Sequence, residues 1–122
     1  MSAEEIATAF ISHYYGTLNT APASLAGLYQ PQSSMTFEGT KFDGPEAIVG
    51  KWGSLGKLTH DVNGLTKDVQ MSVNASSLLI FITGRLRLND EQPLLFSHMF
   101  QLVATGPGQY YVHNEIFRLL YG

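Results

Sequence analysis

The residues of this chain that are best suited to chemistry are few and scattered. Carboxylates gather at two turns, one at Glu38 between Phe37 and Gly39, the other in the run Asn89-Asp90-Glu91-Gln92-Pro93. Turn carboxylates are ordinarily just solvated, because turns lie at the surface. Beside an aromatic residue they can also form a docking site, in which a partner's Lys or Arg is paired and an apolar side chain is buried next to it. The histidines, His13, His60, His98 and His113, fall on separate elements without metal-ligand spacing. A lone histidine is more often a hydrogen-bonded structural residue than a catalyst, and His60, between a helix end and a strand start, is the one to watch. The chain contains no glycine-rich phosphate cradle and no Gly-x-Ser-x-Gly elbow. Having no cysteine, it cannot use disulfides, thiol nucleophiles or cysteine zinc sites. The expectation is non-covalent binding, with no catalytic residue, no metal and no cofactor.

Size and charge narrow the partners. A chain of 122 residues is large enough for one hydrophobic core and too short for two, so residues 1–122 are expected to form one domain. Seven basic residues against ten acidic ones give a net charge of -3, which offers no broad positive field to nucleic acid. With 44% hydrophobic and only 14% charged residues the chain should fold and still have apolar surface left for a partner. The opening Met-Ser-Ala-Glu-Glu-Ile lacks a basic segment followed by an apolar run, and no stretch approaches bilayer length, so an intracellular protein without a membrane segment is expected. Asn74-Ala75-Ser76 matches a glycosylation sequon, a short motif that is common by chance.

The elements that must position these residues are legible in the patterning. Ser2 and Glu5 have capping-box spacing, and Ile6, Phe10, Tyr14 and Leu18 then recur every four residues, predicting an amphipathic helix. Pro22 can start a second helix with Leu25, Leu28 and Tyr29 inward, ending near Gln30 because Pro31 blocks its continuation. Met35 to Asp43 reads as a hairpin turning at Gly39, and Gly44-Pro45-Glu46 opens a third helix running toward Leu55. Four alternating runs follow, Leu58 to Val69, Ser77 to Leu88, Leu94 to Thr105 and Tyr110 to Leu120, separated by turn residues in the manner of antiparallel strands.

Both faces of these strands are partly apolar. In the second run Leu78, Ile80, Ile82, Leu86 and Leu88 share one face while Leu79 and Phe81 occupy the other. In the last run Tyr110, Val112, Ile116 and Leu120 share one parity and Tyr111, Phe117, Leu119 and Tyr121 the other. Three helices cover only one side of such a sheet, so a second copy packed sheet to sheet is the expected cover for the other. A sheet curled strongly enough to close its own second face is the alternative.

Phe10-Ile11-Ser12-His13-Tyr14-Tyr15, Leu28-Tyr29, Met35-Thr36-Phe37-Glu38-Gly39, Phe42-Asp43-Gly44, Ala47-Ile48-Val49 and Asn114-Glu115-Ile116-Phe117-Arg118-Leu119 together resemble the nuclear transport factor 2 family over nearly the whole chain. The resemblance implies an α+β cone, three N-terminal helices packed on a strongly bent antiparallel sheet, and a homodimer through sheet faces in which Phe81 and Ile116 align with interface positions. It implies a carrier that takes the GTPase Ran in its GDP form into the nucleus while touching FG-repeat nucleoporins, and hence a protein of cytoplasm, nucleus and nuclear pore. A partner phenylalanine would enter an apolar cavity at or near Phe37, Leu55, Leu58, Leu94 and Phe117. Glu38, Asn89, Asp90 and Glu91 would supply the rim that receives basic residues of Ran, and His60 aligns with the family's rim histidine.

Two positions depart from the family pattern. Asn89 stands where the acidic turn normally opens with aspartate, so one charge of the clamp is missing or is taken over by Asp90. Ala3 stands where relatives carry an aromatic residue that helps to form the nucleoporin groove. Two other functions are compatible with the same fold: a peptide-binding, heterodimerising interaction module, and a small isomerase or dehydratase using Tyr14, His98 and Asp43. A chain stopping at Tyr121-Gly122 with no RNA-binding domain attached points to the free-standing transport factor over the module.

Overall fold

The computed structural model describes residues 2–74 and 76–120. Ala75, within the sequon and its expected turn, and Tyr121 and Gly122 at the expected end of the last run, lie outside the described residues. Helix α1 (Ala3–Thr20) is followed by a 3₁₀ helix (Pro22–Leu28), β1 (Tyr29–Phe37), β2 (Thr40–Asp43), α2 (Pro45–Gly53), β3 (Leu58–His60), a 3₁₀ turn (Val62–Gly64), β4 (Thr66–Met71), β5 (Ser77–Leu88), β6 (Leu94–Gly106) and β7 (Gln109–Leu120).

The expected capping box is complete: the Glu5 N–H donates to Ser2 Oγ at 3.1 Å and the Ser2 N–H donates to Glu5 Oε1 at 3.0 Å. The stripe that α1 buries is rotated from the simple four-residue repeat. Ala7, Ile11, Tyr14, Tyr15 and Leu18 are buried, and Ile6 and Phe10 flank them. The inward arc is wider because it serves a concave sheet. The second helix closes at Leu28, not Gln30, and Tyr29 and Pro31 belong to β1 instead. β1 has only one neighbour beyond the β2 hairpin, so a proline here breaks little of the ladder.

Strand order is β2-β1-β7-β6-β5-β3, with β4 also on β5. Pairing is antiparallel except between β1 and β7, which run parallel with Phe37 opposite Phe117. The single run expected from Leu58 to Val69 is two strands: β3 pairs with Leu86 to Leu88 of β5 and β4 with Leu78 to Thr83. The turn at Val62–Gly64 carries the chain from one to the other. Leu65 packs so closely on Gly84 that a Cβ there would sit 2.4 Å from the leucine methyl, which is why β5 carries glycine at this point.

Another departure lies in β7. Gln101 faces Asn114 but the next residue, Leu102, faces Val112, so His113 is an extra residue, a β-bulge. Parity reverses across it. Val112 is buried before the bulge, and Glu115 and Phe117 are buried after it, whereas Ile116 is exposed. Val112 and Ile116, which share a parity in the sequence, therefore lie on opposite faces. The helices cover the concave face, whose core includes Tyr14, Tyr15, Trp52, Phe96, Phe100 and Phe117.

Candidate functional site

At one end of the concave face an apolar cavity of about 70 Å³ opens between α2 and the strand ends. Phe37 supplies one wall from β1, Trp52 from α2, Leu55 from the turn that follows it, Leu58 from β3, Leu86 and Leu88 from β5, and Phe117 and Leu119 from β7. Parallel pairing of β1 and β7 sets Phe37 opposite Phe117, so their rings stack at 4.9 Å and 13°. Trp52 meets both edge-on at 5.3 Å. The Lys51 ammonium lies 4.9 Å over the Phe37 ring. Of the expected cavity residues, Phe37, Leu55, Leu58 and Phe117 converge here. Leu94 faces Leu86 across the β5–β6 ladder and is outside the lining. Trp52, Leu86, Leu88 and Leu119 went unassigned in the sequence, although the shared parity of Leu86 and Leu88 with the core residues of β5 carried the signal.

Glu38 stands at the β1–β2 turn beside this cavity. It and Gly39 have φ of 50° and 85°, the double left-handed geometry of a hairpin turn twisted to match its strands. The Glu38 N–H donates to the Phe117 carbonyl at 3.0 Å, and Oε1 accepts from the Leu119 N–H. Oε2 lies 3.8 Å from the Arg118 guanidinium, a loose pair at an exposed arginine that contributes little to stability. The carboxylate is thus tethered by backbone and a quarter exposed.

Asn89 has another task. It is left-handed (φ 54°), a conformation asparagine tolerates well. Its N–H donates to the Lys57 carbonyl at 2.7 Å and its Oδ1 accepts from the Lys57 N–H at 3.1 Å. The side chain therefore ties the β5–β6 turn to the loop preceding β3. Asp90 and Glu91 follow as exposed carboxylates.

His60 does not reach the cavity. It is only 6% exposed, with its ring 4.5 Å from Tyr15 and edge-on to Phe96 at 5.4 Å. Nδ1 lies 2.7 Å from Asn19 Oδ1, an acceptor, so Nδ1 carries the proton and Nε2 is a bare acceptor without a partner. Burial, reinforced by nearby His98, lowers its pKa to about 3 and keeps it neutral. His60 lies instead in the wall of a separate depression bounded by Thr59, Arg85 and Arg87.

The most concentrated polar chemistry is buried. Glu115, placed inward by the bulge, accepts from Tyr14 Oη and Tyr29 Oη, each at 2.6 Å, and lies 2.6 Å from His98 Nε2. Tyr15 Oη meets His98 Nδ1 at 2.7 Å, and Tyr14 and Tyr29 hydroxyls are 2.8 Å apart. Burial first, and then the Glu115 charge, hold all three phenols well above their usual pKa, so they remain donors. These groups satisfy one another inside the core. Tyr14 and His98 do come together, as an isomerase would need, but Asp43 sits apart in an exposed 3.8 Å pair with Lys41. Glu115 was visible in the sequence only as part of a motif.

On the convex face Phe81, Met99 and Ile116 stand in one row across β5, β6 and β7. Phe81 and Ile116 are each 46% exposed. Among the described residues no helix is long and apolar enough to cross a membrane, and no group of His, Asp and Glu could hold a metal.

A bent sheet covered by helices on its concave face, with an apolar cavity at one end, defines a domain of the cone-shaped α+β class. Residues 6–119 match the model of the nuclear transport factor 2 (NTF2) domain, and the chain belongs to that family. It is 48% identical to Nuclear transport factor 2 of Oryza sativa subsp. japonica, with both chains covered completely. Nuclear transport factor 2 from Cryptosporidium parvum superposes with a TM-score of 0.86 at 39% identity, over 97% of this chain and 94% of that one. A chain of the C. albicans Mtr2–Mex67 M domain complex shares the fold at a TM-score of 0.83 and 15% identity, over 97% of this chain and 94% of that one.

Proposed function

We propose that this chain is a nuclear transport factor that binds Ran in its GDP form and carries it into the nucleus, making and breaking no covalent bond. The observation that carries the reading is the apolar cavity with Glu38 tethered beside it. A partner phenylalanine entering the cavity against Phe37, Trp52 and Phe117 gains roughly 1.5–3 kcal/mol from burial, about micromolar binding only when other contacts add to it. Glu38, Asp90 and Glu91 supply those contacts to basic residues of a switch loop, and a desolvated charge pair adds selectivity for the loop shape of one nucleotide state. The names of the rice and Cryptosporidium relatives support the transport role.

The carrier works as a homodimer through the row Phe81, Met99 and Ile116, and it passes between cytoplasm and nucleus by touching FG repeats at the pore. The exposure of two large apolar residues in one row, on either side of Met99, supports this use. An interaction module that pairs with a different chain is the second reading, favoured by the fold it shares with a chain of the Mtr2–Mex67 M domain complex. Calorimetric titration with Ran loaded with GDP and then with a GTP analogue tests the proposal. Binding to the GDP form alone supports it, and silence with both forms overturns it.

A further inference from the structure

Strand β5 alternates sharply near its end. Leu86 and Leu88 turn into the cavity, while Arg85 and Arg87 point to the opposite face and are exposed. Lys41, Lys67 and Arg118 each lie within 4.0 Å of a carboxylate, and among the described residues Arg85 and Arg87, like Lys51 and Lys57, do not. Asp61 is near in the fold, but its carboxylate packs against Gly64, where a Cβ would meet Oδ2 at 2.8 Å.

The arginines line a depression in two connected parts. One, of about 300 Å³, lies between Thr59, His60, Arg87 and Pro93. The other, of about 230 Å³, runs toward Leu95 and Leu120. Both parts share Asp61 and Arg85. Register sets Arg85, Leu95 and Leu120 in one row across three strands, and the two leucines are 46% and 45% exposed.

We propose that this depression docks an extended segment of a partner protein in which acidic and apolar side chains alternate. Carboxylates match the planar fork of Arg85 and Arg87, and the apolar side chains cover Leu95 and Leu120. A nucleic acid fits poorly, since its evenly spaced charge gains nothing from the leucines. The Phe81 row lies four residues further back along β5 on the same face, roughly 13 Å away. Lying behind Leu86 and Leu88, the occupant binds at the same time as a ligand in the cavity.

The test is fluorescence anisotropy with a labelled peptide alternating Glu and Leu, and with its Gln and Leu counterpart, against the whole protein. The acidic peptide should bind the more tightly and weaken as salt is raised. Arg85→Glu/Arg87→Glu, and the milder Arg85→Gln/Arg87→Gln, should each lose at least about tenfold in affinity at unchanged mass. Equal affinity for both peptides, or full binding by the variants, overturns the proposal. So does a change in mass of the variants, which would assign the arginines to self-association, or tighter binding of an oligonucleotide or a phosphatidylserine vesicle than of the acidic peptide.

Discussion

Asn89 grips Lys57 from both sides, its N–H donating to the lysine carbonyl at 2.7 Å and its Oδ1 accepting from the lysine N–H at 3.1 Å. An alanine at this position loses the second bond and must hold φ near 54° without a side chain that tolerates it. Asn89→Ala should therefore lower stability by about 1–2 kcal/mol in urea unfolding, while Asn89→Asp, which keeps the acceptor, should stay within about 0.5 kcal/mol of wild type. Equal midpoints for alanine and wild type would show that the grip is energetically idle.

Reversing charge at the cavity probes the transport reading. Glu38→Lys should remove binding of GDP-loaded Ran, a loss on the order of 2–5 kcal/mol, while thermal unfolding drops only modestly because the residue is outside the core. Titration calorimetry beside a melting curve separates the two effects. Wild-type affinity in this variant would take Glu38 out of the site.

Self-association should depend on Ile116, which is exposed on the convex face beside Met99. Ile116→Glu would bury a charge in a sheet-to-sheet contact and should give monomers in light scattering. A dimeric mass for this variant would move the interface elsewhere.

His60 makes stability fall in mild acid. Its folded pKa of about 3 lies below the usual 6.5, so the unfolded chain takes up a proton that the folded chain refuses. The contribution is complete above pH 6.5 and declines as pH falls toward 3, by on the order of 5 kcal/mol in all. His60→Phe should flatten the melting temperature between pH 7 and 4 relative to wild type. Parallel pH profiles would contradict the assignment.

The Glu115 cluster is predicted to be a structural keystone. Glu115→Leu strands the hydroxyls of Tyr14 and Tyr29 and the Nε2 of His98, and should cost about 3 kcal/mol or more in guanidinium unfolding. Glu115→Gln retains one acceptor and should cost less. A leucine variant as stable as the glutamine one would mean that the hydrogen bonds contribute little.

What could be read from the sequence followed physical locality. The cap of α1, the start of α2 at Pro45, and the limits of β5 to β7 depend on neighbouring residues and agree closely with the structure. Convergence of Phe37 with Phe117 was legible only through family resemblance, because it depends on a parallel pairing across eighty positions. His60 and Asn89 were given partner-facing roles that local context cannot test, and each is engaged within the chain by a residue far along it, Asn19 and Lys57. Glu115 was overlooked because a buried carboxylate gives no periodic signal when a bulge resets the alternation.

That bulge also makes β7 a strand read in two frames. Straightening the bulge with His113 kept would transpose everything beyond it, turning Ile116 to the core and Glu115 and Phe117 to solvent, whereas deleting His113 would leave these faces as they are. One bulged residue thus keeps the cavity wall, the buried acid and the convex apolar row in phase at once, and each of the three helps to hold the bulge in place.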